Sequence, residues 1–316
     1  METDYPLYRQ FTVQEWSQLR ENTPMVLKED DLKRIRGINE NISTEEVETV
    51  FLPISRLLNL QFTGTQSMRE ETGLFLEHSG TGNQHKTPYI IGLAGSVAVG
   101  KSTAARLLQQ LLRRWPSHPK VDLVSTDGFL HPNAVLKDRN IMDKKGFPES
   151  FDREALLNFL SQIKGGRGKV KAPVYSHLVY DIVPNEFVEV DRPDILIVEG
   201  LNVLQTSALK PGGTDDFVSD YFDFSIYLDA HRDIVRQWYI DRFMVLCKTA
   251  FSDDRSYFHR YSELTETEAI ETADDIWTRI NLKNLEENIL PTRRRAGLIL
   301  TKSKDHRIEE ILLRNI

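Results

Sequence analysis

Cysteine is almost absent: Cys247 stands alone in 316 residues. No intrachain disulfide can form, and a soluble protein of the reducing cytoplasm is expected. The 8 histidines are scattered and show no Cys/His spacing of a metal centre. No stretch approaches the roughly 18 uninterrupted apolar residues of a membrane span. The opening METDYPLYRQ carries acids and no apolar core, unlike a secretory signal. Positive charge is not in excess either: 40 Lys and Arg face 47 Asp and Glu, a net charge of -7. That balance argues against a general nucleic-acid binder, although a local basic phosphate pocket stays open. Internal repeats and low-complexity tracts are missing as well. What is present, 40% hydrophobic residues, suffices for one large α/β domain with appendages or for two small domains.

Residues 1–87 read as a helical N-terminal extension packed on a core of residues 88–316. Thr12 with Glu15, and Ser43 with Glu46, have the spacing of capping boxes. The segment HSGTGNQHKTP, 78–88, is a polar, glycine-bearing link. After it the pattern changes. Apolar runs at 89–94, 121–126, 194–199, 222–228 and 297–301 suit buried parallel strands. Helical stretches lie between them at 101–115, near 152–163 and at roughly 231–248. A further helix opens at the Thr265 and Glu268 capping box and should stop by Pro291. Strands separated by crossovers imply an α/β fold: a P-loop NTPase-type parallel sheet flanked by helices on both faces.

The stretch YIIGLAGSVAVGKSTAARLL, 89–108, joins the first strand to the first of these helices. Gly95, Gly100, Lys101 and Ser102 fit the phosphate-loop pattern G-x-x-x-x-G-K-[ST]. A side chain at Gly95 or Gly100 would block the backbone or force a positive φ. With Ser96, Val97, Ala98 and Val99 between the glycines and Thr103 after them, successive N–H groups can converge on ATP phosphates. The helix start adds unsatisfied donors and a positive dipole end. Lys101 supplies a mobile charge, and the Ser102 hydroxyl can bind Mg²⁺. The plain alternative is a chance glycine-rich turn, but the strand before it and the stripe Leu107, Leu108, Leu111, Leu112 after it favour the phosphate loop.

Phosphoryl transfer needs more than the loop. Glu199 ends an apolar strand, where it either anchors a cation or caps the next helix. Asp127 comes after the second run, and it either accepts a hydroxyl proton or makes a turn before Gly128. Tyr239, Arg242 and Phe243 share a helix face, so Arg242 either closes on the moving phosphoryl or is a solvated charge. Tyr175, His177 and Tyr180 mix aromatic surface with polar tips, as a small-molecule pocket or a half-buried hairpin would. Lys144 and Lys145 either attract an anion or lie in a solvated basic loop.

Over roughly residues 10–313 the chain resembles the bacterial type I pantothenate kinases. The resemblance rests on GINENIS, FLPISRLLN, GSVAVGKST, STDGFLHPN, KKGFPESFD, APVYSHLVYDIVP, DILIVEGLNVLQ, NILPTR and LILTKS. It implies transfer of the ATP γ-phosphoryl to pantothenate, the first step of coenzyme A synthesis, by a homodimer that coenzyme A inhibits in competition with ATP. By that resemblance Asp127 is the base, and Lys101 and Arg242 stabilise the moving charge. Ser102 and Glu199 hold Mg²⁺. Lys145, Tyr175, His177, Tyr180, Tyr239 and Asn281 surround pantothenate. Asn39, Phe251 and His306 lie on the adenine side, and Lys101, Arg106 and His177 meet coenzyme A. Asp241, Leu246 and Leu282 depart from the family's usual residues at positions expected to line or approach the channel for the pantetheine end. Two rival readings are another kinase of the group, acting on uridine or ribulose 5-phosphate, and a nucleotide-binding regulator without transfer chemistry.

Overall fold

The computed structural model describes residues 6–37, 42–77, 87–115, 117, 120–206 and 216–315. In chain order, β1 (Tyr8–Phe11) is followed by α1 (Val13–Gln18), α2 (Glu29–Ile35) and α3 (Thr44–Glu46). A π-type turn, Val47–Phe51, carries α3 into the long α4 (Leu52–Glu77). Then come β2 (Tyr89–Gly95), α5 (Lys101–Leu112), β3 (Val121–Ser125), α6 (Asn133–Asp138) and α7 (Arg153–Lys164). The hairpin β4 (Lys169–Ser176) and β5 (Asp181–Asp191) precedes β6 (Ile195–Glu199) and β7 (Phe224–Ala230). Last are α8 (Arg232–Lys248), α9 (Glu266–Ile276), α10 (Leu282–Asn284), β8 (Leu298–Lys302) and β9 (Ile308–Arg314).

Seven strands form one sheet in the order β1-β9-β8-β7-β2-β6-β3, and β4 and β5 form a second, two-stranded one. The strands β2, β3, β6, β7 and β8 lie on the five apolar runs and pair in parallel. Every residue of β2 and β6 is buried, which explains their unbroken apolar sequence. The sheet is not wholly parallel, however. Only residues 303–307 separate β8 from β9, too short for a crossover, so β9 returns antiparallel. The N-terminal segment is not helical throughout either: β1 pairs antiparallel with β9 at the sheet edge.

Local signals explain the helices. Thr12 and Glu15 form the reciprocal capping box, as do Thr265 and Glu268. Ser43 accepts from the Glu46 N–H, but the Glu46 carboxylate reaches instead to the N–H of Ile308, at 3.1 Å. Half of that box is thus spent on joining α3 to β9, and burial raises the Glu46 pKa. Leu107, Leu108, Leu111 and Leu112 of α5 are fully buried, worth about 1.5–3 kcal/mol each. From α9 the chain continues through π-type turns, Trp277–Asn281 and Leu285–Ile289, and tightens to a 3₁₀ turn around Pro291.

At the N-terminal end of the parallel strands Asp223 ties three layers together. Its Oδ2 accepts from the Ile90 N–H at 2.7 Å and from Lys164 Nζ at 2.5 Å, and its Oδ1 accepts from Arg69 Nη2 at 2.8 Å. The carboxylate thereby fastens α4 and α7 to β2. Removing it leaves two half-buried cations facing each other. Asp223→Ala should therefore lose about 3 kcal/mol of stability, read as a fall in the urea midpoint. An unchanged midpoint would contradict this role.

Candidate active site

β2 ends in a loop whose backbone demands glycine. Gly95 has φ +146° and Gly100 has φ +97°, both in the region that side chains disfavour. A Cβ on Gly95 would also lie 2.5 Å from the Leu228 carbonyl of β7. Ala98 is left-handed as well, at φ +60°. Gly100 caps α5, so the Lys101 and Ser102 N–H groups head the helix. Lys101 Nζ donates to the Ser96 carbonyl at 2.7 Å, across the mouth of the loop. Ser96 and Val99 are buried, Val97 is half-buried, and Thr103 is buried behind the loop. The Val99 carbonyl accepts from Lys302 Nζ at 3.1 Å, which ties the loop to β8.

Parallel pairing brings two carboxylates to the same edge. Ser125, the last residue of β3, is in register with Glu199, the last of β6. Asp127 sits in the next turn, the 3₁₀ segment Thr126–Phe129, and Ser125 Oγ accepts its N–H at 3.3 Å. Ser102 Oγ donates to Glu199 Oε1 at 3.1 Å. Glu199 is buried and its pKa is raised, first by desolvation and further by the charge of Asp127. Lys101 and the Ser102 and Ser125 hydroxyls oppose that rise. A buried carboxylate beside a second acid and an exposed serine hydroxyl is a hard-oxygen set lacking full charge balance. It fits a divalent cation held between Ser102 and Glu199.

The β4–β5 hairpin covers this edge. Gly128, next to Asp127, lies so close to β4 that a Cβ would fall 2.1 Å from the Pro173 carbonyl. The register shifts between Pro173 and Tyr175, a bulge that re-aims the end of the strand. Tyr175 meets His177 edge-on at 5.2 Å and Tyr180 at 6.3 Å. Tyr180 in turn packs on Tyr257 at 5.2 Å and Phe258 at 4.7 Å. Burial raises the phenol pKa of both Tyr175 and Tyr180, and the nearby Asp127 carboxylate adds to the rise. Burial pushes the phenol pKa of Tyr239 of α8 up to about 12, with Asn281, in the π-type turn Trp277–Asn281, acting to lower it. Arg242 lies near Tyr239, and among the described residues it has no ion-pair partner.

Lys145 is buried here. Its Nζ donates to Asn133 Oδ1 at 2.6 Å and to the Tyr180 carbonyl at 2.5 Å, and it lies 4.0 Å from the centroid of the Tyr180 ring. Desolvation lowers its pKa to about 8, against the pull of Asp181 and Asp127. Two of its three donors are thus engaged within the protein. Lys144 instead points outward and pairs with Glu149 at 2.8 Å. Tyr180 itself is left-handed, at φ +54°, which costs a residue with a Cβ on the order of 1–2 kcal/mol.

Several expected residues stand elsewhere. Arg106 donates through Nε and Nη2 to the Ile35 carbonyl, at 3.0 and 2.8 Å, and so fastens α2 to α5. His306 stacks on Trp238 at 4.1 Å, whereas Phe251 is buried among Phe243, Phe258 and Tyr261 in a separate cluster. Asn39 lies outside the described residues. Asp241 does not line the tyrosine pocket: it accepts from Gln237 at 2.8 Å and borders a groove of about 500 Å³ on the outer side of α8 and α9. Leu246 packs with Phe251 and Cys247, and Leu282 packs on the main core. Sequence reasoning missed Trp238, Lys302, Tyr257, Phe258 and Asn133. Trp238 adjoins Tyr239 in WYIDRF, a usable signal; Asn133 has none beyond its place after Pro132.

Comparison with known proteins agrees with this geometry. Residues 90–246 match the model of the Phosphoribulokinase / Uridine kinase family. A pantothenate kinase of Parvibaculum lavamentivorans is 58% identical, the alignment covering 98% of this chain and 94% of that one. A pantothenate kinase of Xanthobacter autotrophicus is 55% identical over 98% of this chain and 97% of its own. Among solved structures, D-glycerate 3-kinase from Cryptococcus neoformans var. grubii superposes with a TM-score of 0.51 at 14% identity, covering 81% of this chain and 97% of that one. The YGR205w protein superposes with a TM-score of 0.53 at 16% identity, covering 81% and 99%. These two likenesses establish the P-loop kinase fold.

The tight contact at Gly128 yields a test. Gly128→Ala should displace β4 and lose about 1–3 kcal/mol of stability, seen as a lower thermal midpoint. Wild-type stability in that variant would mean that the turn and the hairpin do not pack this closely.

Proposed function

Because the chain belongs to the pantothenate kinase family, it phosphorylates pantothenate, and we propose that ATP is the donor and that Asp127, Lys101 and Arg242 carry the transfer. The observation that supports this most is the meeting of Asp127, Glu199 and the phosphate loop at one sheet edge, under a tyrosine-lined pocket. ATP phosphates lie along Gly95 to Thr103, where bare N–H groups and the α5 start face them. Lys101 leaves the Ser96 carbonyl to bind the β- and γ-phosphates. Asp127 accepts the proton of the pantothenate hydroxyl as that oxygen bonds to the γ-phosphorus. The bond from phosphorus to the bridging oxygen breaks, and ADP leaves with the electron pair. Arg242, which has no ion-pair partner among the described residues, offsets charge on the migrating phosphoryl.

Mg²⁺ fits between Ser102 and Glu199; when bound it neutralises phosphate charge. The raised Glu199 pKa favours this reading, since a bound cation would offset the burial and the Asp127 charge that cause the rise. Tyr175, His177, Tyr180, Tyr239 and Asn281 pair the amide, hydroxyls and carboxylate of pantothenate and cover its dimethyl carbon. Lys145 acts in the same pocket. His306, stacked on Trp238, offers a ring surface for adenine, and Asn39 and Phe251 complete that side by resemblance.

Inhibition by coenzyme A is proposed on the same loop, through Lys101, Arg106 and His177. Arg106 would have to release the Ile35 carbonyl to meet a phosphate. A homodimer is implied by the resemblance, and the exposed Leu60, Met68 and Phe75 of α4 are consistent with it. No described helix is long and apolar enough to cross a membrane, and a cytoplasmic location is proposed with the single cysteine in mind.

Asp127→Ala should lower kcat for pantothenate by about 10²–10⁴-fold while ATP still binds in titration calorimetry. A near wild-type kcat would remove the base assignment, and intact binding of both substrates without product in the wild type would favour a regulator. Lys101→Met should lose both ATP and coenzyme A binding, because both rest their phosphates on one loop. Undiminished coenzyme A affinity would separate the two sites.

A further inference from the structure

We infer that Asn133 is a positioning residue for the acceptor: its side-chain amide holds the left-handed backbone of Tyr180 and so aims the tyrosine pocket. The inference rests on the pantothenate reading above. Asn133 opens α6 and is buried. Its Nδ2 donates to the Tyr180 carbonyl at 2.9 Å, and its Oδ1 accepts from Lys145 Nζ at 2.6 Å. Its backbone N–H donates to Asp181 Oδ1 at 3.0 Å. Lys145 Nζ closes the triangle on the same Tyr180 carbonyl. Two donors from two other segments thus converge on the one residue of the hairpin turn whose φ is unfavourable, and a third bond holds the residue after it.

The polarity of that triangle matters. The Tyr180 carbonyl accepts two donors, and one belongs to the Asn133 amide. If the Asn133 donor is lost, the carbonyl keeps only its bond from Lys145, and Tyr180 is freer to relax to a right-handed conformation. Its ring would then swing off Tyr257 and Phe258, and Tyr175 would lose its neighbour. None of these atoms touches the phosphate loop, so the nucleotide side should not feel the change. The plain alternative is that Asn133 merely fills space at the start of α6. An aspartate separates the two readings. It keeps the volume and strengthens the contact with Lys145, but it turns a donor into an acceptor facing the Tyr180 carbonyl.

The test is steady-state kinetics of Asn133→Ala and Asn133→Asp with pantothenate and ATP varied in turn, alongside thermal unfolding. Both variants should raise the KM for pantothenate about tenfold or more, which is roughly 1.4 kcal/mol. The KM for ATP should change less than about twofold, and Asn133→Asp should keep the wild-type thermal midpoint. A wild-type KM for pantothenate in Asn133→Asp, or an equal rise for ATP, overturns the inference. If Asn133→Ala does not fold, Asn133→Asp carries the comparison. Should the wild type fail to phosphorylate pantothenate, the functional reading falls. The positioning role is then decided by the crystal structure of Asn133→Asp: Tyr180 leaving the left-handed region supports it, and Tyr180 unmoved overturns it.

Discussion

Glu199 is the constraint around which the catalytic edge is arranged. A carboxylate buried at the end of a central strand is unfavourable unless charge or hydrogen bonds compensate it. The protein supplies two hydroxyls and a nearby lysine, and then adds Asp127, which worsens the balance. The deficit is local to the C-terminal ends of the strands. At the opposite ends Asp223 is partly buried, yet it is satisfied by a main-chain N–H, an arginine and a lysine. One carboxylate joins layers, and the other is left without a full balance of charge. The same sheet thus separates stability from chemistry along the length of its strands.

The acceptor pocket depends on how closely the small hairpin approaches that edge. Contact between Gly128 and Pro173 sets the separation of the Asp127 turn from β4. The bulge before Tyr175 and the left-handed Tyr180 then direct the aromatic rings inward. Strain in the turn is held by Lys145 and Asn133, each from a different segment. Phosphate loop and pocket are therefore rigid for different reasons. The loop is set by its own glycines and the start of α5, the pocket by convergence of distant parts of the chain.

Much of this was legible in the residues. The five parallel strands, the loop, the helices after them and both reciprocal capping boxes are signalled by local pattern, because apolar runs and caps act over a few residues. That Asp127 and Glu199 lie at one sheet edge was legible because parallel topology places strand ends together. The antiparallel edge was not: β1 is too short for a pattern, and β9 lacks clean alternation. The second half of the Ser43 box was not legible either, since the Glu46 carboxylate is claimed by Ile308, far away in sequence. Arg106 and Asp241 show the same limit, because helical spacing alone does not tell which neighbour a polar side chain will meet.

By itself the sequence determined the phosphate loop, since its glycine spacing and lysine make sense only around a bare, positively curved backbone. It also determined the five parallel strands and the main helices between them, through hydrophobic periodicity. Only the tertiary structure decided that Lys145 is bound to Asn133 and the Tyr180 carbonyl, that Arg106 grips α2, and that His306 stacks on Trp238. Those outcomes depend on contacts between segments distant in the chain, and no local pattern encodes where such segments meet.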